Sequence, residues 1–240
     1  MKRIIIMALG VLMALALATP MALAGVGQGE NAADTPEELA AVWTQWAFSK
    51  PVDVDSPLIG SYKGGPRCDG TPLSPTQGNT WFLAGSFGGG SVVKRTCTMP
   101  ANTQLFFPVV NWIAFPFAPK ETPQNQREAA INAMNATLND PKFRMSVTVD
   151  GKEVESNRIV RAISPAFFSV TMPEKNAFDP FVNPNPPGLP AGEYQGWTTD
   201  GLWATLPPLG SGEHTIHFEA RARSVGVSQD NTYILTVPTS

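Results

Sequence analysis

Charge is scarce in this chain. Asp, Glu, Lys and Arg make up 15% of its 240 residues, against about 25% in an ordinary soluble domain. The 17 basic residues are outnumbered by 20 acidic ones, so there is no basic excess to attract nucleic acid or an anionic lipid surface. Histidine is almost absent, with His214 and His217 the only two. On a strand their odd separation puts them on opposite faces, so they do not chelate one metal together. Cysteine is as rare. Cys68 and Cys97 are too far apart for a CxxC unit and too few to fill a zinc site. No GxSxG elbow flags a nucleophile, and the glycine run at 85–91 lacks the lysine and following helix of a phosphate loop. That run reads as a hairpin turn. No cofactor and no metal is expected. Calcium on the loop acids Asp53, Asp55 and Asp69 is disfavoured, because their spacing lacks an EF-hand's glycine and distal glutamate.

One apolar run is long, and it stands at the start. Lys2 and Arg3 precede Ile4–Ala18, and the small-residue site Ala22-Leu23-Ala24 follows. This three-part order predicts a secretory signal peptide cleaved after Ala24. The 216 residues that remain carry 15 basic and 20 acidic side chains, a net charge of −5. They contain no stretch long enough to span a bilayer. In a secreted or periplasmic chain two cysteines suggest a disulfide, Cys68–Cys97. Closing that loop of about 30 residues would stabilise by roughly 3 kcal/mol on the chain-entropy argument.

What is abundant is turn chemistry, with 23 prolines and 21 glycines. Between them lie short runs rich in β-branched and aromatic residues. Three such runs, Trp81–Ala84, Ser91–Met99 and Thr103–Val110, read as consecutive antiparallel strands. Further strands are predicted at Phe143–Val149, Lys152–Glu155, Arg158–Ser164, Phe167–Met172, Leu202–Leu206, Glu213–Ala222 and Thr232–Val237, with Asp150-Gly151 a hairpin turn. Two helices are signalled by their caps. Thr35, Pro36 and Glu38 form a capping box ahead of Leu39, Val42, Trp43 and Trp46 on one face. Thr122-Pro123 opens the second, whose buried stripe is Ile131, Met134 and Leu138. The fold expected is mainly β: one antiparallel, jelly-roll-like β-sandwich over residues 25–240, with two short helices packed on it. Residues 173–201 read as a long loop.

Several motifs resemble a group of exported bacterial proteins. They are Trp43-x-x-Trp46, WFLAGSFGG after Gln77, RTCTMP at Arg95–Pro100, FFPVVN ending at Asn111, DGLWATLPPL followed by GEHTIHF, and DNTYILTV at Asp230–Val237. The resemblance runs from about Trp43 to Val237. It implies a secreted β-sandwich, and it transfers no catalytic residue.

The candidate ligand site follows from the long loop. Phe178, Phe181, Tyr194, Trp197 and Trp203 cluster in or beside it, with Gln195, Asn183, Asn185 and Asp200 as polar neighbours. Loop aromatics stack on sugars and other flat ligands, but they also cap sandwich cores, and both readings stand at this level. The function expected is a non-catalytic binding domain for a carbohydrate or cell-envelope component. One alternative is an extracellular hydrolase using Asp179, Glu193 or Asp200 as paired carboxylates. Another is a surface structural or assembly protein.

Overall fold

The computed structural model describes residues 34–52, 56–58, 79–87, 92–118, 120–178 and 189–239. It is a mainly β sandwich of two five-stranded sheets with two helices. Helix α1 (Pro36–Phe48) starts as its sequence dictates. Thr35 Oγ1 accepts from the Glu38 amide at 3.3 Å, and the Glu38 carboxylate accepts from the Thr35 amide at 2.9 Å. These two bonds satisfy donors that a bare helix end leaves open. The face buried is Leu39, Ala40, Trp43, Trp46 and Ala47. Helix α2 (Pro123–Leu138) is capped by Thr122 and buries Ala130, Met134 and Thr137. Ile131 and Leu138 are only half-buried.

The first sheet holds β1 (Thr80–Phe82), β3 (Gln104–Ala114), β6 (Ile159–Ile163), β7 (Phe168–Met172) and β8 (Gly192–Leu206), in the order β1-β3-β8-β6 with β7 also on β8. The second holds β2 (Val92–Thr98), β4 (Arg144–Val149), β5 (Lys152–Glu153), β9 (Gly212–Ala222) and β10 (Val227–Val237), in the order β2-β10-β9-β4-β5. Asp150 (φ 51°) and Gly151 (φ 77°) make the tight turn of the β4–β5 hairpin, the left-handed pair such turns require.

Two expectations are corrected here. The first three strands are not consecutive antiparallel neighbours. β1 runs parallel to β3, while β2 crosses to the other sheet and runs parallel to β10. Nor do residues 173–201 form one long loop, because β8 begins at Gly192 and continues unbroken through Leu206. Asp200-Gly201 reads as a turn before a strand, yet both residues lie inside β8. Gly201 is explained by close approach, and Gly196 by its left-handed backbone (φ 82°) together with close approach. A Cβ on Gly196 would lie 2.8 Å from the Pro123 ring, and one on Gly201 would lie 2.6 Å from Asn111 Cβ.

Successive residues of the first sheet serve two cores. Phe107, Leu202, Ala204 and Leu206 pack towards the second sheet, meeting Ile216, Phe218, Tyr233 and Leu235, with Met134 of α2 alongside. Phe106, Trp197 and Trp203 face the other way, under α1. The first sheet is therefore the middle layer of three.

Candidate functional site

The expected aromatic site does not assemble on the surface. Trp197 and Trp203 are both 0% exposed, and they sit at different places under α1. Trp197 stacks on Phe115 at 4.0 Å between centroids and touches Phe48 and Phe178. Trp203 lies between Trp43 and Phe106 and donates from Nε1 to the Ala162 carbonyl at 3.2 Å. Phe178 is half-buried against Phe48, Phe87 and Phe115. Tyr194 meets Phe115 edge-on, and its hydroxyl donates to the Pro190 carbonyl at 3.0 Å. These rings act as core. Gln195 is exposed on β8, away from that packing. Phe181, Asp179, Asn183 and Asn185 lie outside the described residues, as do Asp53, Asp55, Asp69 and Cys68.

Asp200 is not at a turn. It stands mid-strand with its carboxylate fully buried, taking Arg161 Nε at 3.0 Å and Nη2 at 2.6 Å, while Arg161 Nη1 donates to Asn135 Oδ1 at 2.8 Å. The fork ties β6, β8 and α2 together. A carboxylate held this way and shut from solvent has no free face for acid or base work. The histidines are structural too. His214 bonds the Asp150 carboxylate at 2.8 Å and the Gly210 carbonyl at 3.0 Å, and His217 bonds Asp230 at 3.1 Å. Among the described residues no group of three His, Cys, Asp or Glu could hold a metal ion. No described helix is long and apolar enough to cross a membrane.

One shallow hollow of about 500 Å³ lies beside the Arg161–Asp200 fork, lined by Glu37, Ile131, Asn135, Arg161 and Ile163. A cleft with aromatic and amide lining lies elsewhere, behind a strap at Leu83–Phe87. After β1 the chain keeps one bond to β3, from the Leu83 amide to the Phe106 carbonyl at 3.2 Å, then swings to the second sheet. Trp43 Nε1 donates to the Leu83 carbonyl at 2.8 Å. The Ala84 carbonyl accepts from Arg95 Nη1 at 2.6 Å and Tyr233 Oη at 2.8 Å. The Gln229 side-chain amide then imitates a strand neighbour. Its Nε2 donates to the Ser86 carbonyl at 2.8 Å, and its Oε1 accepts from the Ser86 amide at 3.1 Å.

Between the strap, β3 and the start of β10 is a cleft of about 280 Å³. It lies just below the usual range of ligand pockets, roughly 300–1,000 Å³, which suits a small ligand group. The half-buried rings of Phe87 and Trp112 line it, with the buried Trp43 and Phe48 behind them, and Ser86, Asn111 and Gln229 give it hydroxyl and amide groups. A register shift between Pro108 and Val110 bulges β3 beside it, and bulges re-aim side chains in this way. Sequence reasoning missed this site. The residues 85–87 of the glycine run belong to the strap, and the strands flanking the run lie in different sheets, so it is no hairpin. Asn111 closes the quoted FFPVVN motif, but nothing local marks Gln229.

No protein-family model and no curated protein matches the chain. Among solved structures it shows similarity to a family 123 glycoside hydrolase from Clostridium perfringens, studied for glycolipid glycan hydrolysis. The identity is 10% and the TM-score 0.23, and the alignment covers 61% of this chain and 23% of that one. An overlap of that quality carries no argument about fold or function.

Proposed function

We propose that the protein is an exported, non-catalytic binding domain whose ligand, a carbohydrate or another cell-envelope component, seats in the cleft behind the Leu83–Phe87 strap. One observation carries this reading: aromatic walls and uncharged hydrogen-bonding groups line the same concavity. Flat apolar rings with a few placed dipoles suit a ligand having apolar faces and polar edges. Export rests on the N-terminal charge and hydropathy pattern and on the resemblance to exported proteins. Cys97 is buried on β2, and we propose that it pairs with Cys68. Mapping of unreduced peptides that recovers both thiols free would remove that bond.

The test is co-sedimentation of the oxidised chain Gly25–Ser240 with insoluble polysaccharides and purified cell wall. Wild type should partition with at least one of them, and Gly85→Ala, which crowds the cleft, should reduce that partition. Retention that is indifferent to Gly85→Ala would place the ligand elsewhere.

A further inference from the structure

We infer that the cleft selects an uncharged glycan end rich in hydroxyl groups, and that Asn231 is a concealed acceptor for one of those hydroxyls. The inference rests on the reading of the cleft as the ligand seat and narrows it to a chemical class. Three observations support it.

The first is the lining. Sugar hydroxyls both donate and accept, and so do the groups of Ser86, Asn111, Ser228 and Gln229. Much of this capacity remains open. Asn111 makes one long contact, Nδ2 to Thr199 Oγ1 at 3.5 Å, and its Oδ1 takes no hydrogen bond within the described structure. Gln229 uses one Nε2 hydrogen on the Ser86 carbonyl and keeps the other. The buried guanidinium of Arg95, which could attract an anion, is already engaged. It donates to the carbonyls of Ala84 and Pro57 and to the Tyr233 hydroxyl. Among the described lining residues none is ionisable.

The second is Asn231. It is 0% exposed, and its Oδ1 has no donor. An acceptor buried without a partner destabilises the fold until a donor reaches it. The Asn231 Nδ2 lies 3.3 Å from Gln229 Oε1, so the orphaned amide adjoins the polar edge of the cleft.

The third is Gly85. Its backbone is not in the left-handed region, so conformation does not demand glycine. Space does. A Cβ there would stand 2.7 Å from Gln229 Oε1 and 3.4 Å from Asn231 Nδ2. The missing side chain is what lets the Gln229 amide lie directly against the strap, with the Asn231 amide beside it. A hydroxyl entering beside Gln229 meets the spare Nε2 hydrogen, and a ligand that takes over the Gln229 bonds to Ser86 frees that side chain to turn away from Asn231.

The experiment is titration calorimetry of Gly25–Ser240 with neutral probes (methyl glucoside, methyl galactoside, N-acetylglucosamine and their short oligomers) and charged counterparts (glucuronate, galacturonate, glucosamine). At least one neutral probe should bind, and its charged counterpart should bind about tenfold more weakly or worse. Gly85→Ala and Asn231→Leu should each weaken the neutral probe by about tenfold. Asn231→Leu should do so with an unchanged or higher Tm, because it deletes the orphaned acceptor. A charged probe bound as tightly, with the same dependence on Gly85, would overturn the neutral selection yet leave the cleft as the seat. Neutral binding untouched by both substitutions would overturn the inference and the seat together. No heat from any neutral probe at millimolar concentration would overturn the inference. A lower Tm for Asn231→Leu with affinity intact would make that amide purely structural.

Discussion

β8 and β9 are long inner strands of similar role that differ in surroundings. β8 is buried without interruption from Gly196 to Ala204, because α1 covers one face and the second sheet with α2 covers the other. β9 alternates, burying Ile216, Phe218, Ala220 and Ala222 while His217, Glu219 and Arg221 reach solvent. A sheet covered on both faces has no inside and outside to encode, so its strands lose the period of two. The polar residues in β8 survive through pairing. Thr198 Oγ1 shares a hydrogen bond with Ser164 Oγ at 3.2 Å, Thr199 Oγ1 donates to the Trp112 carbonyl at 3.1 Å, and Asp200 is held by Arg161. Polarity in the sequence need not mean exposure in the fold.

Truncation should break this symmetry of roles most sharply. Trp203→Ala removes a side chain packed on Trp43 and Phe106 and should cost about 3–5 kcal/mol in urea unfolding, as large core deletions do. Its counterpart on the outer face of the second sheet, Thr232→Ala, should stay within about 0.5 kcal/mol. Equal losses at the two sites would refute the description of β8 as doubly covered. A finer probe is Gly201→Ala. The added methyl meets Asn111 Cβ at 2.6 Å and the Val110 carbonyl oxygen at 2.7 Å, and backbone cannot step aside as a side chain can. Overpacking of this kind costs about 1–3 kcal/mol, readable as a lower Tm.

The smallest effect belongs to the solvated sheet. The Asp150 hydrogen bond holds His214 above its usual pKa, and the His214 and Thr215 hydrogen bonds hold Asp150 below its own. The raised histidine adds stability that is complete below the ordinary histidine range and is lost as pH rises through its folded value. The lowered carboxylate adds stability that is present above the ordinary carboxylate range and is lost as pH falls. Their joint contribution is greatest at mildly acidic pH, between the two ranges. Both groups are partly exposed, so screening keeps it small. His214→Gln should flatten the stability profile across that window, and an unchanged profile would show the pair to be inert.

Much of the solvated sheet, and the start of α1, was legible in the sequence. The alternation of β9, the Asp150-Gly151 turn and the capping box of Thr35 and Glu38 are local signals, and local geometry obeys them. The middle layer was not legible. Trp197 reads as a loop aromatic, and Trp203 as its neighbour on the next strand, because the prolines of 173–199 and the Asp200-Gly201 pair imitate loop and turn chemistry. Only the nearness of Asn111 and Arg161 reveals another reason for that pair. The cleft was harder still. Its polar groups come from Ser86, Asn111 and Gln229, far apart in sequence and joined by a strap that leaves one sheet for the other. No spacing rule brings those residues together.

The parallel pairing of β2 with β10 has a consequence in time. Among the described residues β2 has no other strand neighbour, and its register sets Val93 beside Asn231 and Cys97 beside Leu235. Contacts of such long sequence separation carry a loop-closure cost before they stabilise anything. A chain threaded from its N-terminus therefore holds β2 without a sheet until its final strand arrives. In pulsed hydrogen exchange during refolding, the amides of β2 should gain protection together with those of β10 and never ahead of them. The last strand acts as the clasp, and maturation of the whole sandwich waits on it.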